Sequence, residues 1–553
     1  MAVVIFPNQL FSLEDSDIFS SINKNTTIFI VEDSIYFHDK CGYTGFNINK
    51  LIYQRICMKN YEKYLKSHFT NVKYIDFANC KSDYLNLFNK FDKIHIYRFN
   101  DWPLRDKFAK IADKLVQYDN PTHLHQKFDE IKFADDKKSN EKTNKKTNEK
   151  TNEIIEIKNH RGFYKWSLDK LSKKYNWDLS NYSKSQDKYN RRPFDTKLPG
   201  YCFNSADSSK DDSTKKAENV IEEAAKYILK NIPHFTTTSN KIGTIVENYK
   251  IIYKSQAHNH DDAIKQLDDF IKNKLLNFGP FQDSLGFIAD NLSNSTIDTS
   301  ISTIKMECIF HSVLSPAINI GLITTKTIIE KIIKFIKLNE KSLNKESLKK
   351  YNQSIEAFLR QVIGWREYMW FIYNSAYFIK DENFFSLFNE PAECWWNGST
   401  DVIPVDIVIK RAWKFGYLHH IERLMVVLCL MTLCEINPGA IHKWFMEFAL
   451  DSYSWVMLGN TYGMGYATTL IMQKPYLATS NYISGQSKLK KGEWGKEWDA
   501  LFYRFLYKHK KEIKENSGTK IYLRNLAYFE KKPKKERDEI LKIANDFIKK
   551  VTI

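Results

Sequence analysis

Residues 135–153 read DDKKSNEKTNKKTNEKTNE, a polar near-repeat with almost no apolar side chain. Such a tract cannot bury enough surface to offset the entropy of ordering it, so it is expected to be disordered. Whatever core the chain builds must therefore lie on either side of it. The two sides carry different periodicities, which fixes most of what the fold can be.

Before the tract, short apolar runs alternate with amphipathic stretches. AVVIF (2–6), TTIFIVE (26–32), VKYIDF (72–77) and DKIHIYRF (92–99) predict strands. NINKLIYQRICMKNYEKYLKSHF (47–69) predicts a helix with Leu51, Ile52, Ile56 and Tyr61 among its apolar positions. Strand–helix alternation implies a parallel α/β sheet. No GxGxxG follows the first strand, so the dinucleotide fingerprint is absent. After the tract, GFYKWSLDKLSKKYNWDL (162–179) starts as a helix, and NSADSSKDDSTKKA (204–217) predicts a loop. From about 241 to 530 the pattern is helical, clearest in DDAIKQLDDFIKNKLLNF (261–278) and YNQSIEAFLRQVIGWREYMWFIY (351–373). The expected organisation is an α/β domain over 1–127, a linker over 128–240, an all-helical domain over 241–530 and a terminal amphipathic helix over 531–553. A length of 553 residues agrees with more than one core.

The net charge of +17 suits a polyanionic partner, nucleic acid before an anionic membrane, although abundant Lys, Asn and Ile together can also reflect base composition. The eight cysteines show no CxxC and no zinc-type spacing, which predicts reduced thiols. The opening MAVVIFPNQL lacks a signal peptide's basic segment and long apolar run. The longest apolar stretch, LMVVLCLMTLC (424–434), is too short for a bilayer. A soluble, intracellular protein, or one packaged in a particle, is the expectation.

Nine of the twelve tryptophans fall within 365–498. Tryptophan normally fills cores, but these sit among polar groups that need partners. In HSVLSP (311–316), Ser312 and Ser315 share a helix face and suit a phosphate. In FGYLHHIERLM (415–425), two histidines precede Arg423. Adjacent helical residues point about 100° apart, so both cannot lie on one solvated stripe. A buried Arg423 needs an anion, and DSYSWVMLGN (451–460) offers Asp451, with Gly459 and Asn460 as amide contacts near a ring.

Taken together, RQVIGWREYMWFIY (360–373), GYLHHIERLM (416–425), INPGAIHKWFMEF (436–448), DSYSWVMLGNTYGM (451–464) and QKPYLATSNYI (473–483) resemble the photolyase/cryptochrome family. They are most similar to its bacterial iron–sulfur branch, which repairs (6-4) photoproducts. NFGPFQDSL (277–285) and HSVLSPAINIGL (311–322) match the start of the flavin domain, KYNRRPF (188–194) the linker, and FPNQL with VEDSIYF the antenna domain. The resemblance is nearly full length. It implies a Rossmann-like antenna domain followed by an all-helical domain holding FAD in a U shape.

By the same resemblance Ser312 and Ser315 lie near the flavin diphosphate, Arg366 and Asn460 lie along the cofactor, and Arg423 pairs with Asp451 beside the isoalloxazine ring. His420 faces the lesion as proton donor. His419 either assists it or is a satisfied buried histidine. Tyr476 and Leu424 line the lesion pocket, and Trp444 and Trp396 relay electrons to the flavin. A ribityllumazine antenna pigment is expected near Gln9 and Glu32.

Two departures stand out. The branch places four cysteines in its C-terminal region, but here GSTDVIPVDI (398–407) has Pro404 or its neighbours at the first position, and NYISGQSKLKKGEWGKEWDALFY (481–503) has no cysteine. No iron–sulfur cluster is expected, and packing through Trp494 and Trp498 would close the region. Met457 occupies a position near flavin N5 that is usually polar. The implied activity is light-dependent repair of pyrimidine dimers in UV-damaged DNA by a monomer, with the (6-4) photoproduct favoured over the cyclobutane dimer. A cryptochrome-like photoreceptor is the alternative; KKPKKERDEILKIANDFIKKVTI (531–553) is shorter than the tail such receptors often carry.

Overall fold

The computed structural model describes residues 1–38, 45–81, 84–133, 154–184, 212–286, 308–339, 344–376, 379, 382–465, 475–487 and 489–553. The polar tract at 135–153, the KYNRRPF string, Cys41 and Cys202 lie outside them.

The N-terminal half is a five-stranded parallel sheet in the order Val72–Ile75, Thr27–Val31, Ala2–Ile5, Ile94–Tyr97, Leu115–Tyr118. Of the three inner strands, Ala2–Ile5 and Ile94–Tyr97 are buried along their whole length and Thr27–Val31 at all but its first residue, as a sheet covered on both faces requires. Four of the strands match the sequence expectation. The fifth, Leu115–Tyr118, was not expected: it is an edge strand with no fully buried residue, so KLVQY carries too little apolar signal. The long helix Ile48–Lys66 is capped by Asn47, whose side chain accepts from the Asn49 amide at 2.8 Å. It packs on the sheet through Leu51, Ile52, Ile56 and Leu65.

The first turn of that helix also enters the helical half. Asn49 Nδ2 donates to the Trp413 carbonyl at 2.8 Å, and Lys50 Nζ donates to the carbonyls of Met446 and Ser452 at 2.9 and 2.7 Å. Just before it, Phe46–Asn47 pairs in parallel with Phe235–Thr236. Between the halves, helix Asp212–Asn231 begins inside the stretch expected to be a loop. Lys215 and Lys216, in its first turns, are exposed. Ile131–Phe133 and Ile155–Ile157 pair across the undescribed tract.

From Ile242 onward the chain is helical, ending in helix Lys534–Val551 against Glu493–Lys508. Four helical runs contain a wide π-type turn: Phe270–Lys274, Arg360–Arg366, Glu422–Leu428 and Gly459–Gly463. Such turns concentrate at functional sites. Among the described residues no helix is long and apolar enough to cross a membrane.

Candidate functional site

Three of the four wide turns open onto one cavity of about 260 Å³. Gln361, Trp365 and Arg366 come from the first, Arg423, Leu424 and Leu428 from the second, and Asn460 and Thr461 from the third. A π turn inserts one extra residue per turn and re-aims the side chains after it, so each helix presents polar groups where regular periodicity would place apolar ones.

Asp451 organises the wall. Its carboxylate accepts from Arg423 Nη2 at 2.7 and 3.0 Å and from Ser315 Oγ at 2.6 Å. Its carbonyl accepts from Asn319 Nδ2 at 2.6 Å, and Asn319 Oδ1 in turn accepts from Arg366 Nη1. Arg423 Nε donates to the Leu418 carbonyl at 2.9 Å. Ser315, Arg366, Arg423 and Asp451 are thus one hydrogen-bonded set. Ser312 lines the same cavity, and Asn460 does too, its Nδ2 bonded to the Val456 carbonyl one turn back at 2.7 Å.

Arg366 is the least satisfied member. Its Nε has no hydrogen-bond partner, and its guanidinium sits 4.7 Å from the Trp455 ring centre. Burial pushes its pKa down to about 10, against the pull of Glu367 and Asp451. A partly satisfied guanidinium on the same cavity wall as two serine hydroxyls suits a diphosphate. Met457, Leu424, Val362 and Phe445 supply an apolar wall for a ring system, with the Arg423–Asp451 pair at its side. The donor set therefore fits FAD.

The chain turns sharply between the two histidines. Helix Ile403–Phe415 ends at Gly416, whose φ of +60° leaves no room for a Cβ, 2.8 Å from Leu450 Cγ. The next helical run starts at His420. His419 points inward and stacks on His311, with ring centres 4.6 Å apart and planes 15° apart. Burial, reinforced by His311, Arg411, His420 and Arg423, holds its pKa well below the ordinary imidazole value. Glu422 lies 3.8 Å from His419 Nε2, accepts from the His419 amide at 3.2 Å, and pairs with Arg411.

His420 faces the cavity. It is exposed along the cavity's open side. The protein packed around the ring, with Arg423 and His311 adding repulsion, nonetheless pushes its pKa down to about 4. Its exposure softens the shift, but the direction stands, and His420 rests neutral at pH 7. Leu424 shares this wall, whereas Tyr476 is not among the lining residues; it is half-buried, its amide bonded to the Met464 carbonyl.

Trp444 is fully buried and donates Nε1–H to the Trp395 carbonyl at 2.8 Å. That carbonyl belongs to the peptide leading into Trp396, so one hydrogen bond and one amide link the two expected relay residues. Phe445, on the cavity wall, lies 5.1 Å from Trp444. Trp396 is half-buried and donates to Glu447 at 3.1 Å.

In the sheet domain, Gln9 and Glu32 follow the C-terminal ends of adjacent parallel strands, where open α/β sheets bind ligands. Glu32 is already engaged with Arg55, with Tyr74 Oη at 2.5 Å and with the Phe77 amide at 2.7 Å; burial raises its pKa. Gln9 Oε1 accepts from the Phe6 amide at 3.2 Å. Trp494 and Trp498 are buried side by side in the C-terminal region, with ring centres 6.4 Å apart. Among the described residues no three His, Cys, Asp or Glu side chains group to hold a metal ion. Cys394, Cys429 and Cys434 are free thiols.

Sequence reading passed over His311, Asn319 and Glu367. Asn319 follows Ser315 by one helical turn, a signal that was available. Glu367 is fully buried and accepts the amides of Leu124 and His125, both at 3.1 Å, so it ties the site's first wide turn to the sheet domain. Nothing in the local pattern marks that contact.

A parallel five-stranded sheet is followed by a helical domain with a partly polar cleft, an arrangement with counterparts among known proteins. The chain is similar to proteins of the photolyase/cryptochrome family in sequence over parts of its length and in fold throughout. The family model for deoxyribodipyrimidine photo-lyase-related proteins matches residues 3–145. A (6-4) photolyase of Agrobacterium fabrum is 32% identical over 270 residues, covering 46% of this chain and 48% of that protein, so the match spans about half of its length. An uncharacterized protein of Acanthamoeba polyphaga mimivirus is 42% identical over 123 residues, 22% of this chain and 94% of its own. The crystal structure of a bacterial class III photolyase from Agrobacterium tumefaciens superposes over 100% of this chain and 98% of its own with a TM-score of 0.54 at 13% identity, a likeness of fold.

Proposed function

We propose that this protein is a light-dependent DNA repair enzyme acting on UV-induced pyrimidine dimers, the (6-4) photoproduct first among them. The observation that carries the reading is the convergence on one cavity of Ser315, Asp451, Arg423 and the half-satisfied Arg366 with His420 and Trp365. FAD, when bound and reduced, supplies the photo-excited electron for bond rearrangement in a lesion. The residues do the rest. Arg366 and the serines hold the diphosphate. The Arg423–Asp451 pair fixes charge beside the ring. Trp365 and Leu424 give an extruded base a surface to rest on, and a damaged base costs least to extrude.

His420 presents an N–H into the cavity. Group transfer between the bases of a (6-4) lesion needs a proton at the migrating oxygen or nitrogen, and a neutral imidazole beside developing negative charge can deliver one. Lys and Arg outside the cavity hold DNA phosphates. The ends of the sheet near Gln9 and Glu32 are the proposed antenna site, with a ribityllumazine as pigment. The chain carries no iron–sulfur cluster in this reading: iron and acid-labile sulfide should be absent after anaerobic purification from iron-supplemented cells, and stoichiometric iron with broad visible absorption overturns it.

The decisive experiment reconstitutes the protein with FAD and assays oligonucleotides carrying one defined lesion, in light and in the dark. Light-only restoration of the (6-4) duplex is expected. His420→Ala should keep the flavin and lose this activity. Turnover of the cyclobutane duplex alone shows that the lesion choice is wrong. Flavin binding without turnover of either duplex favours the photoreceptor.

A further inference from the structure

His311 lies on the cavity wall, is buried, and has no assigned role in the reading above. Its Nδ1 is 3.0 Å from the Cys308 carbonyl oxygen and its Nε2 is 3.1 Å from the Gln282 carbonyl oxygen. A carbonyl oxygen can only accept. A neutral imidazole has one N–H and one bare lone pair, so it satisfies one of these contacts and sets a lone pair against oxygen at the other. Only the imidazolium makes both. His258 is the control within the same chain: its Nδ1 meets the Gln256 carbonyl at 2.8 Å, but its Nε2 meets the Tyr249 hydroxyl at 3.1 Å, which can donate. A neutral ring is fully satisfied there.

We propose that His311 is a fixed imidazolium, a cationic positioning residue that keeps His420 neutral and adds positive charge to the wall facing an anionic ligand. The segment that carries His311 is constrained on both sides. Ile309 and Val313 on either side adopt left-handed backbone at φ +47° and +56°, and Gln266 Nε2 fixes the Val313 carbonyl at 3.0 Å. His419 stacks flat on the ring, and neither of its own nitrogens has a hydrogen-bond partner, so it offers a neutral π face.

The surrounding charges leave room for this cation. Arg423 is matched by Asp451 and Arg411 by Glu422, so neither guanidinium is left bare against it. Asp283 stands on the same wall, one residue beyond Gln282. Burial opposes the charge and on balance lowers the His311 pKa, while both carbonyl contacts raise it. The contacts decide the balance, because a neutral ring turns a lone pair toward one of the two carbonyl oxygens. The same charge is among the influences that lower His419 and His420.

The inference concerns protonation and is tested on the protein without cofactor; only its last arm rests on the proposed repair function. Histidine-¹⁵N NMR on the whole chain at pH 7, with His311 assigned by its loss in His311→Gln, should show two protonated ring nitrogens. One pyrrole-type and one pyridine-type signal overturn the proposal. In His311→Gln, which keeps an amide donor without charge, the His420 titration should move upward by about one pH unit. In His311→Lys it should stay near the wild-type value. An unmoved His420 in the Gln variant also overturns it, and if that variant fails to fold, comparing spectra of the wild type and His420→Ala across pH still assigns the protonated ring. In light-driven (6-4) repair, the Gln variant's pH profile should shift in the same direction as its His420. Absence of repair in the wild type counts against the function and leaves the NMR result standing.

Discussion

One carboxylate sets most of the site. Asp451 joins three separate segments: Ser315 and Asn319, Arg423, and through Asn319 the guanidinium of Arg366. Asp451→Asn removes a charge and leaves Arg423 buried without its anion. Breaking a buried pair in this way costs about 3–5 kcal/mol. The variant should unfold at lower denaturant and take up little FAD. Wild-type midpoint and full flavin content would show that the pair is dispensable. Arg423 and Asp451 were legible in the sequence because a buried arginine demands an anion and DSYSW offered one. His420 was legible as a cavity residue, but not its protonation, which depends on Arg423 and His311 around it. Tyr476 shows the limit: its amide bonds the Met464 carbonyl, and it is not among the residues that line the cavity.

At the scale of elements, the wide turns decide where side chains aim. Periodicity reads YNQSIEAFLRQVIGWREYMWFIY as one helix, and its amphipathic pattern gives no sign that Arg360–Arg366 is wound differently. The cause is tertiary. Gly364 lies against the sheet-side helix His160–Tyr175, where an added Cβ would meet His160 Nε2 at 2.8 Å and Tyr164 Cδ2 at 3.2 Å. His160 in turn stacks on Trp365, 4.0 Å away with planes 11° apart. Gly364→Ala should therefore displace His160 and shift Trp365 in the cavity, at a cost of about 1–3 kcal/mol. Denaturant unfolding reads the first effect and lesion affinity the second; a variant unchanged in both would show that the helices part freely. The Trp444–Trp395–Trp396 connection belongs to this scale as well, since it joins helix Pro438–Phe448 to helix Cys394–Asn397. Trp444→Phe removes the Nε1–H and an oxidisable ring. Photoreduction of bound flavin should slow at least tenfold, while repair after chemical reduction is kept. Equal photoreduction rates would mean that electrons enter by another aromatic path, and Trp455 and Trp370, 6.3 Å apart behind Arg366, offer one.

Across the whole molecule, one apolar core runs through both halves and polar contacts add to it, with histidines recurring among them. His123 stacks on Trp370 at 4.1 Å beside Glu367, and His258 accepts Tyr53 edge-on at 5.3 Å between helix Ile48–Lys66 and the helical half. His125 and His442 are buried in the same manner. Burial pushes all four down to about 4. This could not be read from composition, because fourteen histidines in a chain say nothing about which ones lose water. The sign follows from linkage. The unfolded chain takes up these protons as pH falls below about 6.5, whereas the folded chain resists until near 4. Their stabilisation is therefore complete above pH 6.5 and is lost on acidification, at up to about 1.4 kcal/mol per histidine per pH unit. Glu435, held down to about 2 by His509, Lys508 and Arg504, runs out only below the ordinary carboxylate range and does not contribute in that window. Four losses of this size, at most about 11 kcal/mol over two pH units, are comparable with the margin of an ordinary domain. The melting temperature should thus fall between pH 6.5 and 5, with the buried carboxylates whose pKa values are raised, Glu32 and Glu422 among them, opposing part of the loss. His258→Gln, which keeps the carbonyl contact and cannot be protonated, should make that fall shallower. A melting temperature level from pH 7 to 5 would mean that these imidazoles keep access to water and that the seam between the halves opens more readily than its hydrogen bonds imply.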